Sequence, residues 1–194
     1  MTTQLVYRYL ERIGNLLRAE ARQARPGARL QPVQLEILHY LSICNRQSDI
    51  PAAVTEYLGL TKGTVSQTIS VLEAKGYLEK VPDTKDRRVI HLKLTEKGRA
   101  VVEKSLPPAA LRDGLSSMPP DQRELLTRQL AALLQGIEKT HRYEEFGTCD
   151  HCRHLRRSDE GPLCGVTNSP LAADELDRIC RDYAPVETPI EKVA

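Results

Sequence analysis

Residues 60–98 read LTKGTVSQTISVLEAKGYLEKVPDTKDRRVIHLKLTEKG, and the periodicity of this stretch changes part-way along it. From Lys62 to Ala74 the apolar residues Val65, Ile69 and Leu72 recur at helical spacing, so this part is a helix with one face inward and Gly76 as its stop. After Gly76 the period becomes two. Tyr77 to Val81 and Val89 to Leu94 alternate apolar with polar residues on either side of the turn-forming PDTKDRR. That pattern predicts a two-stranded hairpin with a long charged tip. Thr95 then caps a further helix that includes Ala100, Val101 and Val102.

Working toward the N-terminus, Pro51 suits the first turn of a short helix over 51–58, which Gly59 ends, leaving a tight turn from Gly59 to Thr61. Before it, Val33, Leu35, Ile37, Leu38, Leu41 and Ile43 predict a mostly buried helix from Pro32 to about Cys44. Leu5, Val6, Tyr9, Leu10, Ile13, Leu16 and Leu17 predict an amphipathic helix over 3–24, stopped by Pro26 and Gly27. Toward the C-terminus, Pro107 and Pro108 must kink or interrupt the helix that Thr95 starts. A last long helix begins near Pro120, carries Leu126, Leu130, Leu133, Leu134 and Ile137 on one face, and ends before Gly147. A short helix, a tight turn, a second helix and then a hairpin is the order of a winged helix-turn-helix. The expected fold class is mainly α with a small β-hairpin wing.

Composition narrows the function. With 194 residues, 40% of them hydrophobic and 28% charged, the chain is an ordinary globular one, not a disordered or fibrous one. Lys and Arg number 28 against 26 Asp and Glu, a net charge of +2, so any basic partner surface must be local. No run approaches the 18 apolar residues of a membrane span. Arg8, Glu11 and Arg12 interrupt the first apolar series, unlike a secretion signal. The expected compartment is the cytoplasm, where thiols stay reduced and clustered cysteines serve metal or redox chemistry.

The second helix of a helix-turn-helix enters the DNA major groove with its N-terminal end toward the bases. Here that end offers Thr61, Thr64, Ser66, Gln67 and Ser70 as a hydroxyl and amide face, with Lys62 for charge and Gly63 for close approach to a phosphate. Gln67 has the chemistry to bond bidentately to adenine. The whole stretch strongly resembles the MarR family of bacterial transcription regulators. The features in common are the hydroxyl-rich helix, its Leu-Glu-x-x-Gly-Tyr-Leu exit, a wing with Asp-x-x-Asp-Arg-Arg, and Leu-Thr-Glu-Lys-Gly after the second wing strand. With flanking dimerisation helices the resemblance covers residues 1–145 and implies a homodimer on a pseudo-palindromic operator in double-stranded DNA, acting as a repressor. It leaves room for a small-molecule effector. Carried over by motif position, Lys62, Thr64, Ser66 and Gln67 face the major groove, while Lys85, Arg87 and Arg88 reach phosphates and the minor groove. Within the Asp86-x-Arg88 pair the arginine shapes the wing, which makes Arg87 the expected tip contact. Pro107, Pro108, Pro119 and Pro120 depart from the family's long continuous helix after the wing.

Four of the five cysteines fall late in the chain, in a segment expected to form a cysteine-rich extension over 146–186, followed by a flexible tail over 187–194. Cys149 and Cys152 are at C-x2-C spacing, with Cys164 and Cys180 following singly. So short a segment buries too little surface to fold without a staple. A metal supplies one, and four thiolates suit zinc or, alternatively, an iron–sulfur cluster. His151 and His154 are spare candidates as ligands, and Cys44 and His39 read as core residues. The chain is not expected to be an enzyme. The rival from that class, a thiol-disulfide oxidoreductase using Cys149 and Cys152, would need its C-x-x-C at a helix start in a βαβ unit, and no such pattern surrounds these residues. A third alternative keeps DNA binding and makes the extension a protein-interaction module.

Overall fold

The computed structural model describes residues 2–23, 30–159 and 161–186. The stop expected at Pro26 and Gly27 and the tail read at 187–194 lie outside them. In chain order the helices are α1 (Thr2–Gln23), α2 (Pro32–Ile43), α3 (Pro51–Leu58), α4 (Lys62–Ala74), α5 (Glu96–Ser105), α6 (Ala109–Ser116) and α7 (Pro120–His141). Strands β1 (Leu78–Pro82) and β2 (Ile90–Leu94) form the wing. Five short strands follow α7: β3 (Gly147–Thr148), β4 (Leu155–Ser158), β5 (Gly161–Cys164), β6 (Ser169–Pro170) and β7 (Ile179–Cys180). Among the described residues no helix is long and apolar enough to cross a membrane.

The backbone divides into two units. One comprises Met1–Ser42, Ser66–Glu79 and Leu94–Leu134, and the other Ile43–Val65, Lys80–Lys93 and Gln135–Ala194. In the first, Ile37, Leu38 and Tyr40 of α2 and Ile69 and Leu72 of α4 are buried, the inward face that their spacing calls for. The Gly76 amide bonds to Glu73 O and the Tyr77 amide to Leu72 O at 3.0 Å, closing the end of α4. Tyr77 is thereby spent on the helix end, and β1 starts one residue later than the alternation predicts. Thr95 caps α5 as expected, its hydroxyl accepting from the Gly98 amide at 3.1 Å. Gly98 itself tolerates no side chain, because a Cβ there would lie 2.1 Å from the Tyr77 carbonyl oxygen.

Pro107 and Pro108 interrupt the helix rather than bend it, and α6 is a separate element. Glu20 of α1 holds its start, its carboxylate accepting from the amides of Ala109 (2.8 Å) and Ala110 (3.0 Å), a favourable charge at a helix N-terminus. The apolar stripes of α1 and α7 stay open to solvent. Leu5, Leu10, Ile13 and Leu16 of α1 and Leu130, Leu133, Leu134 and Ile137 of α7 are all exposed.

In the second unit, α3 ends at Gly59 with φ +62°, a left-handed turn that suits glycine. Thr61 caps α4, accepting from the Thr64 amide at 3.2 Å. The five strands after α7 form two small antiparallel sheets, β3–β7 and β4–β5–β6. Their register sets Gly147 opposite Cys180 and Leu155 opposite Cys164.

Candidate nucleic-acid interface

All four residues expected on the DNA face of α4, Lys62, Thr64, Ser66 and Gln67, are exposed, while Val65 and Ile69 between and beyond them are buried. Helical period alone produces this division, since the inward set leaves the polar set on the open side. The Thr64 hydroxyl lies 2.9 Å from that of Thr61, so part of its capacity is taken up by the helix start. Ser70 donates to the Ser66 carbonyl at 3.0 Å. Lys62 and Gln67 make no side-chain hydrogen bond or ion pair among the described residues, and both can meet a ligand without first breaking a bond.

The wing tip is built by its two aspartates. Asp83 Oδ1 accepts from the backbone amides of Lys85 (2.7 Å) and Asp86 (2.8 Å), an Asx turn that folds the tip. Those two bonds first, and the His91 side chain after them, hold the Asp83 carboxyl down at about 2. Asp86 accepts from the Arg88 amide (3.0 Å) and pairs with its guanidinium through Nε (2.9 Å) and Nη2 (2.7 Å). This lowers Asp86 and raises Arg88 relative to their ordinary values. Arg88 is thus turned back on its own loop. Lys85 and Arg87 are exposed and have no side-chain partner among the described residues, so they are the cations the wing presents outward.

The wing base rests on a residue that periodicity does not reveal. Asp49, buried at 5% exposure just before α3, receives His91 Nδ1 on one carboxylate oxygen and Lys93 Nζ on the other. Its carbonyl accepts from the Leu92 amide at 2.7 Å. His91 reaches on with Nε2 to Asp83 Oδ2 at 3.2 Å. Asp49 and His91 are 42 positions apart, and no local pattern pairs them. The one available signal was a polar Ser-Asp just ahead of a helix-initiating Pro51.

A family profile described as a winged helix DNA-binding domain matches residues 30–98. The transcriptional repressor MprA of Escherichia coli (strain K12) is 33% identical over 94 residues, which is 46% of this chain and 53% of that protein. The chain thus spans about half the length of the curated relatives it matches. FabT of Streptococcus pneumoniae, crystallised in complex with DNA, is 30% identical with a TM-score of 0.57, covering 71% of this chain and 99% of that one. The chain belongs to the MarR family of winged-helix regulators. A structure of Bordetella bronchiseptica BpsR, whose subject is the regulation of its DNA binding by 6-hydroxynicotinic acid, is 25% identical with a TM-score of 0.51, over 66% of this chain and 98% of that one.

In this MarR-family chain the cysteine-rich extension lies beyond the matched profile. Cys149, Cys180 and Leu171 are its buried centre, with Leu155, Cys164, Leu176 and Tyr183 packed against them. The Cys149 thiol donates to the Cys180 sulfur, which raises Cys149 and lowers Cys180. The Asn45 side-chain amide donates to Cys149 Sγ at 3.7 Å. Cys152 sits one turn on, its amide bonded to the Cys149 carbonyl at 3.2 Å. Three of the four expected thiols therefore share one cluster and the fourth is adjacent in the chain. Among the described residues no group of three or more His, Cys, Asp and Glu side chains is arranged to hold a metal ion. His151 is exposed and turned to Asp150, 2.8 Å away. Cys44 is a core residue, its thiol pushed up to about 12 chiefly by burial. It does not stand apart from the extension, however, since its backbone bridges Ile179, next to Cys180. His39 is half-buried, which lowers it.

Proposed function

We propose that the protein is a sequence-specific transcriptional repressor that binds a pseudo-palindromic operator as a homodimer. The observation that carries this reading is the pairing of an exposed Lys, Ser and Gln face on α4 with exposed Lys85 and Arg87, which have no side-chain partner among the described residues, on a wing that its own aspartates hold in shape. Gln67 and Lys62 are the readers of base edges, Thr64 and Ser66 bond to bases or phosphates, and Lys85 and Arg87 take the backbone, with Arg88 a shaping residue that faces the same phosphates. A repressor among the relatives, a relative solved on DNA and another whose DNA binding a small aromatic acid regulates support the assignment and the expectation of a small-molecule effector. The exposed apolar stripes of α1 and α7 support dimerisation, since apolar patches of this kind on a free surface mark association sites. A regulator of this kind works where the chromosome is, in the cytoplasm.

For the extension we propose a metal centre on Cys149, Cys152, Cys164 and Cys180, zinc being the first choice and an iron–sulfur cluster the alternative. The four thiols have the chemistry of a soft-metal donor set, while among the described residues no three of them are arranged to hold an ion. Three sulfurs share a cluster, and an amide N–H aimed at one of them is the outer hydrogen bond that a metal-bound thiolate accepts. When bound, zinc supplies a structural cross-link and no chemistry of its own. The test is selection of duplexes from a random pool, with light scattering of the complex and metal analysis of the anaerobically purified protein. Two half-sites about one helical turn apart on a dimer are expected. Enrichment of no sequence, or a monomer on DNA, would refute the operator reading, and a protein free of both zinc and iron would refute the metal centre.

A further inference from the structure

Two neighbouring residues of α3 are each gripped from the extension. The Arg181 guanidinium forks onto the Glu56 carboxylate, Nε to Oε2 and Nη2 to Oε1, the second at 2.8 Å. The Tyr57 ring meets Phe146 edge to face, with centroids 5.1 Å apart. The two gripping residues belong together. β3 and β7 pair Gly147 with Cys180 and Thr148 with Ile179, so one further step of that register sets Phe146 opposite Arg181. The end of this small ladder is thus the seat of α3. The same strand also holds the segment before α3. Ile179 bridges Cys44, and its carbonyl accepts from the Asn45 amide at 2.8 Å. The Arg181 amide donates to the hydroxyl of the fully buried Ser48 at 2.9 Å. Arg181 is therefore joined to α3 by its side chain and to the segment ahead of α3 by its backbone.

Each arm leads to a DNA-facing element. α3 starts at Ile50 with no side-chain cap, and so short a helix takes its orientation from what it packs against. Its Ala53 and Val54 are buried, while Glu56 and Tyr57 rest on the extension. Its tilt passes through the turn at residues 59–61 to Lys62 and Thr64 at the start of α4. On the other arm Asp49 follows Ser48, holding Leu92 by its carbonyl and His91 and Lys93 of the wing by its carboxylate. We propose that Arg181 is a positioning residue for DNA binding, which sets α3 and the 44–49 segment so that the start of α4 and the wing are ordered for a half-site before DNA arrives. This rests on the operator reading given above. Groups ordered in advance bind with less entropic cost. Folding stability is not the main quantity at stake. The pair is partly exposed, Arg181 at 36% and Glu56 at 28%, and such pairs add little to folding. A two-point bond nevertheless fixes direction as well as distance. Non-specific binding needs only charge near phosphates and tolerates a loose head, whereas contact with base edges does not.

The experiment uses the full chain and two duplexes of equal length, one selected by the wild-type protein and one with its sequence scrambled. Fluorescence anisotropy at fixed ionic strength gives both affinities, and circular dichroism shows that each variant is folded at the assay temperature. Arg181→Gln is expected to weaken the selected duplex about fivefold and to leave the scrambled one within about twofold, in the range of coupling between contacting residues. Glu56→Gln should do the same, although it removes a negative charge, and the double variant should be no worse than either single one. Arg181→Lys, which keeps the charge and one point of contact, should fall between Arg181→Gln and wild type. Glu56→Gln carries the test if Arg181→Gln does not fold. A direct phosphate contact by Arg181 would give another pattern, with Arg181→Gln weakening both duplexes alike and Glu56→Gln tightening them, and that pattern would overturn the positioning role. Wild-type affinity for the selected duplex in the folded variants would overturn it too and leave the operator reading standing. A wild-type chain that does not distinguish the two duplexes would overturn the operator reading itself.

Discussion

Neutralising Asp49 by Asp49→Asn probes the contact on which the wing base rests. The carboxylate is nearly inaccessible and takes one charged or polar donor on each oxygen, His91 and Lys93. Hydrogen bonds to a charged group contribute about 1.5–3 kcal/mol each and neutral ones about 0.5–1.5 kcal/mol, so loss of the charge removes about 2–3 kcal/mol over the two bonds. Lys93 is half exposed, and its ammonium regains water when the carboxylate is gone, which brings the expected net to about 2 kcal/mol. At about 2–4 °C per kcal/mol for a chain of this length, Tm should fall by about 4–8 °C. Circular dichroism melts of Asp49→Asn, Lys93→Met and the double variant form a thermodynamic cycle, with a coupling of about 1 kcal/mol expected between the two sites. Exchange of the Leu92 amide, which bonds to the Asp49 carbonyl, should quicken in the single variant. A Tm within about 1 °C of wild type, or strict additivity, would refute the claim that this pair anchors the wing.

Arg87→Ala should weaken operator binding by about 1–3 kcal/mol and lower the salt slope by about two, one phosphate for each wing of a dimer, in anisotropy titrations over a range of salt. An unchanged slope removes Arg87 from the contacts. Gln67→Ala should lose discrimination at one base pair per half-site by about 1–3 kcal/mol, and an even loss across all single-base operator variants would make it a positioning residue. The Asp83 carboxyl is depressed, so its folding of the wing tip is fully present above the ordinary carboxylate value and is lost only as pH falls through about 2. The Lys85 and Asp86 amide resonances should titrate there, and a midpoint near 4 would refute the Asx turn. Cys164→Ser should lose the metal, unfold residues 149–183 and shift operator affinity several-fold, followed by metal analysis, proteolysis and anisotropy. Full metal content in that variant would show that Cys164 is not a ligand.

What could be read from the sequence was what repeats or caps. Val65, Ile69 and Leu72 declare the inward face of α4 by spacing alone, and the four polar residues left on its other side are then exposed without further argument. Gly59, Gly76 and Thr95 mark helix ends through conformations and bonds made within a few residues. The apolar stripes of α1 and α7 were legible as stripes too, wider than a small winged-helix core can cover, and they remain uncovered in a single chain.

What was not legible depends on pairs far apart in sequence. Asn45 meets Cys149 across 104 positions and Arg181 meets Glu56 across 125, and neither pair follows from a period, a cap or a turn rule. The cysteine spacing announced a cluster but gave no sign of where it would dock, and Cys44, read as a core residue, also shares a bridge with the strand that carries Cys180. The consequence is specific. A cysteine module hung on the end of a helix would need stiffness in its linker to be felt by the DNA-binding elements. One that donates and accepts hydrogen bonds with Asn45, Ser48 and Glu56 does not, because those residues belong to the loop and helix that set the start of the helix-turn-helix. The five residues from Asn45 to Asp49 therefore link the extension to the wing.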